Sequence, residues 1–102
     1  MTVGSQRVQP VSGPLDATVV VPGSRSITNR ALACAALARG GTRLVGVVDN
    51  DDTAAMISCV SALGAIVEPS GVAELAVEGV DGHLGSGPRD VHSAISGTTS
   101  RF

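Results

Sequence analysis

Apolar positions recur along the chain with two different periods, and the change from one to the other marks the elements. Leu15 to Val21 is dense in β-branched residues (Thr18, Val19, Val20, Val21) and is stopped by Pro22-Gly23, as a strand followed by a turn would be. From Ser26 to about Arg39 the run of Ala, Leu and Cys favours a helix, with Ile27, Ala31, Cys34 and Ala38 on one face and Gly40-Gly41 as its stop. Thr42 to Val48 returns to the shorter period through Leu44, Val45, Val47 and Val48, which predicts a partly buried strand. Met56, Ile57, Val60 and Leu63 then recur at helical spacing behind the acidic group Asp49 to Asp52, with Asn50 or Asp51 as N-cap and Gly64 as the end. Two short strands follow, Ala65 to Glu68 and Glu74 to Val77, joined through Pro69-Ser70-Gly71.

The order strand, helix, strand, helix, strand, strand predicts an α/β fold of two layers, a βαβαββ unit with helices packed on one side of a mixed sheet. Residues 1–14 are polar and broken by Gly, Ser and Pro, and read as a lead-in segment; residues 15–80 form the unit; residues 81–102 read as a loop and the start of a next unit. Asp90 to Ile95 allows one more short extended stretch, and Ser96 to Phe102 opens a helix. One helical turn does not repay its nucleation, so a truncated sequence is expected, the first part of a longer one.

Composition narrows the function classes. The 102 residues carry one aromatic, Phe102, so a core must be built from Val, Ala, Leu and Ile. A net charge of −2 argues against a general nucleic-acid surface, and any cationic site must be local. No apolar run approaches the ~20 residues that span a bilayer, and no export signal precedes Cys34 and Cys59, which predicts a soluble, cytoplasmic protein with reduced, buried thiols. Asp49, Asp51 and Asp52 lack the D-x-D-x-D-G spacing of a calcium loop, and helix capping accounts for Asp51, so no metal and no cofactor is expected. His83 and His92 have no ligand spacing and are assigned no role.

The chemistry concentrates in two short stretches. In Pro22-Gly23-Ser24-Arg25-Ser26 a strand turns into a helix whose first N–H groups lack intrahelical acceptors and carry partial positive charge. Arg25 and Arg30 add two permanent cations, and Ser26 lies four residues before Arg30 on the same face, an arrangement suited to phosphate or carboxylate. Ser96-Gly97-Thr98-Thr99-Ser100-Arg101 repeats that logic with small residues, hydroxyls and an Arg four places after Gly97. The plain alternative for both is a Ser cap beside solvated arginines. Asp52 is a candidate to pair with Arg25 or Arg30 and hold the cation in place.

Pro22 to Leu32, Ala35 to Ala38, Asp49 to Thr53 and the Gly97-Thr98-Thr99-Ser100-Arg101 stretch together resemble the N-terminal part of the 5-enolpyruvylshikimate-3-phosphate synthase family. The resemblance runs from Leu15 to Arg101. It departs from the family at two places: Arg25 stands where the family has Lys, and Ile95-Ser96 replaces a pair that usually reads Asn-Ala.

That resemblance implies the enolpyruvyl transferase fold, whose two lobes each hold three βαβαββ units. It implies transfer of the carboxyvinyl group of phosphoenolpyruvate to the 5-hydroxyl of shikimate 3-phosphate, on the route to chorismate and the aromatic amino acids. By position, Arg25, Ser26 and Arg30 would hold shikimate 3-phosphate, while Arg25, Gly97, Thr98 and Arg101 would lie on the phosphoenolpyruvate side, with Asp52 behind them. The carboxylates and further cations of the chemistry would lie in other sequence, so the 102-residue chain is expected to be inactive alone, and monomeric when part of a full-length enzyme. Two further readings are a non-catalytic phosphate-binding or interaction module and the UDP-N-acetylglucosamine enolpyruvyl transferase type, whose segment reads Lys-Asn in place of Arg25-Ser26.

Overall fold

The structure is a computed structural model that describes residues 4–102, so the first three residues of the lead-in segment lie outside the described residues. Its elements are α1 (Arg25–Leu37), β1 (Gly41–Val45), α2 (Asp51–Ala62), β2 (Ile66–Gly71), β3 (Glu74–Glu78) and α3 (Gly97–Arg101). The strands form one sheet in the order β1-β3-β2, antiparallel at both pairings, with Val77 of β3 opposite Thr42 on one side and Val67 on the other.

Alternation sorts the sheet into two faces. Leu44, Val67, Leu75 and Val77 point to the helices, and Val45, Ile66, Ala76 and Glu78 point away. On the covered face Leu32, Ala35 and Ala36 of α1 meet Met56 and Val60 of α2, together with Ala65 and Val77. Small alanines let α1 lie close, and Leu32 is fully buried, a burial worth about 1.5–3 kcal/mol. Helices therefore cover one side of the sheet, as the α/β expectation has it.

Two expectations are corrected. The β-branched run 15–21 is not a strand: it is extended and exposed, with Leu15, Val19, Val20 and Val21 each at least 72% accessible. Strand propensity needs a neighbouring edge to bond with, and the run pairs with none of the three described strands, so the described sheet is antiparallel rather than mixed. The buried face of α1 is also not the expected one. Thr28, Asn29, Leu32, Ala35 and Ala36 are inside, whereas Ile27 and Cys34 are exposed. Ala and Cys occur all round this helix, so its period does not distinguish one side from another. Cys59, by contrast, is buried as expected.

Helix ends are closed in different ways. Asn50 caps α2, its side chain accepting from Thr53 N at 3.0 Å, and Gly64 at φ +114° ends it. The last carbonyls of α1 are satisfied from a distance: Val80 N donates to Ala36 O, Gly82 N to Leu37 O and Asp81 N to Ala38 O, at 2.8 to 3.0 Å. The segment after β3 thus seals α1, where Gly40-Gly41 was expected to do so. Residues 90–95 form no strand.

Candidate functional site

The site is built where α1 and α3 begin. Ser24 caps α1: its hydroxyl accepts from Ile27 N at 3.2 Å, and its carbonyl accepts from Thr28 N and from Thr28 Oγ1. The amides of Arg25 and Ser26, one position earlier, are those that a helix start leaves without intrahelical acceptors. Arg25 is exposed and Ser26 half-buried.

The turn is seated on the chain that leaves β1. Val48 N donates to Thr28 Oγ1 at 3.3 Å, and Thr53 Oγ1 donates to Val48 O. Gly23 lies so close to this chain that a Cβ there would stand 2.6 Å from Gly46 O and 3.0 Å from Val48 Cγ2. The glycine in the first motif is therefore required by backbone contact, in addition to any part in the turn.

The second stretch forms α3 with Ser96 as its N-cap, the Ser96 hydroxyl accepting from Thr99 N at 3.1 Å. Ser96 and Thr99 are buried, Thr98 is half-buried and Gly97 is exposed. Ala94, just before, holds φ +52°, an uncommon conformation for a residue with a side chain.

The two stretches meet. Asn29, fully buried on α1, donates from Nδ2 to Thr98 Oγ1 at 3.0 Å, to Thr99 Oγ1 at 3.2 Å and to Asp52 O at 3.4 Å, joining residues 69 and 70 positions apart. Thr99 Oγ1 also donates to Asp52 O at 3.1 Å. One turn on, the Arg30 guanidinium lies 5.3 Å from the centre of the Phe102 ring, next to Arg101 in the chain, a contact worth about 0.5–1 kcal/mol at an exposed position.

Asp52 thus takes part through its main-chain oxygen, which holds Thr99 and Asn29. Of the residues expected to meet the substrates, Arg25, Ser26, Arg30, Gly97, Thr98 and Arg101, only Thr98 bonds directly across the junction, which Asn29, with no role expected from sequence, makes with Thr98 and Thr99. A signal for Asn29 existed: it stands three and seven positions before Leu32 and Ala36, a polar residue in line with apolar ones. Among the described residues no three of His, Cys, Asp and Glu converge as metal ligands would, and no helix is long and apolar enough to cross a membrane.

Fold and site together define the class, a two-layer α/β unit in which two hydroxyl- and arginine-bearing helix starts meet. Comparison with known proteins narrows it. The family model of EPSP synthase (3-phosphoshikimate 1-carboxyvinyltransferase) matches residues 10–102, and the chain belongs to that family. Among its relatives, the 3-phosphoshikimate 1-carboxyvinyltransferase of a Nostoc species is 40% identical over 90 residues, 87% of this chain and 21% of the relative. That of Hamiltonella defensa is 41% identical over 101 residues, 96% of this chain and 23% of the relative. A solved EPSP synthase from Acinetobacter baumannii superposes with a TM-score of 0.71 at 27% identity, over 81% of this chain and 19% of that one. The chain spans about a fifth of the length of the curated relatives it matches.

Proposed function

We propose that this chain forms part of the substrate site of an enzyme that transfers the carboxyvinyl group of phosphoenolpyruvate to the 5-hydroxyl of shikimate 3-phosphate and releases phosphate. Membership of the EPSP synthase family supports this, and so do the names of the relatives. The observation that carries it is the Asn29 junction, which brings the Ser24–Arg30 and Ser96–Arg101 stretches into one place despite some 70 residues between them.

In this reading Arg25, Ser26 and Arg30 hold shikimate 3-phosphate, and Arg25, Gly97, Thr98 and Arg101 face phosphoenolpyruvate. Both substrates carry several negative charges. Placing them side by side requires fixed cations and oriented N–H donors, each charge-assisted hydrogen bond being worth roughly 1.5–3 kcal/mol. No cofactor takes part. Nothing at this site serves as general acid or base for the addition and elimination, so the chain binds without turning over, because ground-state contacts alone do not lower a barrier.

The same proposal extends to organisation. Residues 1–14 are a lead-in, residues 15–80 a unit of the enolpyruvyl transferase fold, and residues 81–102 lead into a next unit. The whole enzyme is cytoplasmic and monomeric. A second reading, a non-catalytic anion-binding module, is favoured by Ile95, which is 95% exposed beside α3 where the family usually has an amide side chain.

Titrating the ¹⁵N-labelled chain with shikimate 3-phosphate and then phosphoenolpyruvate tests the proposal. The amides of Arg25, Ser26, Gly97 and Thr98 are expected to shift together, with no phosphate released. Shifts confined to other regions, or none, overturn it; response to inorganic phosphate with no preference for either substrate favours the module.

A further inference from the structure

The residues assigned to the substrates do not hold themselves in place, and one buried side chain outside that set does so. We propose that Asn29 is a positioning residue: its amide fixes the first turn of α3, with Gly97 and Thr98, against the start of α1. This rests on the anion-binding reading of the two turns.

Hydrogen-bond bookkeeping shows why an amide is needed. Thr99 Oγ1 has one proton, which it gives to Asp52 O, and two lone pairs, which accept from Ser96 Oγ at 2.8 Å and Asn29 Nδ2 at 3.2 Å. Thr99 is therefore fully engaged, and its proton cannot serve an incoming oxygen. Asp52 O accepts only. The face of Asn29 turned toward α3 must therefore be the donor face, and its second Nδ2 proton goes to Thr98 Oγ1 at 3.0 Å.

No other side chain of similar size offers two donors from one rigid plane. Ser and Thr offer one, and ionised Asp offers none. The arrangement carries a cost, because Asn29 Oδ1 is buried with no partner among the described residues. Leu at this place would avoid that cost and extend the apolar row of Leu32 and Ala36. An amide held here at a penalty, its two protons shared between the α3 threonines at 3.0 and 3.2 Å and, at a longer 3.4 Å, Asp52 O, is explained by the junction it makes.

The test compares the chain with Asn29→Leu, Thr99→Val and the double variant, by amide hydrogen exchange and by titration with inorganic phosphate. In both single variants the Ser100 and Phe102 amides, bonded to Ser96 O and Thr98 O, are expected to exchange roughly tenfold faster while Val77 is unchanged. The double variant exchanges no faster than Asn29→Leu, because both changes remove one junction. Phosphate still shifts Ser26 in Asn29→Leu but no longer shifts Gly97, a selective loss that a space-filling role would not produce.

Exchange at Ser100 and Phe102 within about twofold of the parent, or effects that multiply in the double variant, overturn the proposal. So does a Gly97 amide that follows phosphate in Asn29→Leu as it does in the parent. Should Asn29→Leu unfold, seen as lost protection at Val77, Thr99→Val alone decides: faster exchange in α3 supports the junction and unchanged exchange refutes it. If phosphate shifts neither turn in the parent chain, the anion reading fails by itself, and the exchange comparison still settles what Asn29 holds.

Discussion

Arg25 is where residue chemistry bears most directly on function. A lysine ammonium is a compact point charge able to sit between two substrates, whereas a guanidinium is longer, planar and shaped for bidentate contact with one phosphate. Arg25 is exposed at the first position of α1, and under the proposed function it brings more volume than a lysine to the place where the two substrates would meet. In an enzyme that carries this segment, Arg25→Lys is expected to raise turnover severalfold; unchanged or lower kcat refutes the crowding argument. Residue identity alone makes this difference visible. It does not reveal Asn29, whose meaning depends on two threonines that only the fold brings within 3.2 Å.

Among the elements, those with a self-contained signal were legible and those that depend on a neighbour were not. Met56 and Val60 at helical spacing, a cap at Asn50 or Asp51 and a Gly64 stop define α2 from sequence alone; the structure has Asn50 as the cap, Asp51 as the first helical residue and Gly64 just past the end. For α1 the length was legible and the inward face was not, since Ala and Cys pack nearly as well on any side. The run 15–21 has strand propensity but lies exposed, because propensity does not supply a partner edge. Legibility of the site followed the same division: the helix starts could be read, and their junction could not.

A prediction at this scale concerns Gly79. A Cβ there would fall onto the carbonyl oxygens of Ala35 and Ala38, the very end that residues 80–82 seal. Gly79→Ala is expected to force the segment off α1 and lose several of those bonds, lowering stability by about 3 kcal/mol or more, as measured by urea unfolding. A loss below about 1 kcal/mol would mean that the segment moves aside without cost.

Taken whole, the molecule is much longer than a compact chain of its size. Its radius of gyration is 18.6 Å, against about 13 Å for a compact domain of 100 residues, and its longest dimension is 61 Å. Residues 4–24, which precede α1, are exposed and belong to no helix or strand. Small-angle scattering of the chain is expected to return a radius near 18.6 Å, and a value near 13 Å would show the N-terminal arm folded back onto the α/β unit.

Cys34 lies on the outer side of α1 while Cys59 is enclosed, so among the described residues one thiol is reachable. It stands nine residues beyond Arg25, about 13 Å along the helix axis, close enough for an attached fluorophore to sense events at the helix start and far enough not to block them. The same exposure leaves aerated stocks prone to covalent pairing of two copies through that sulfur. Handling this protein under reductant, and labelling it at that one cysteine, follow from the same turn of the helix.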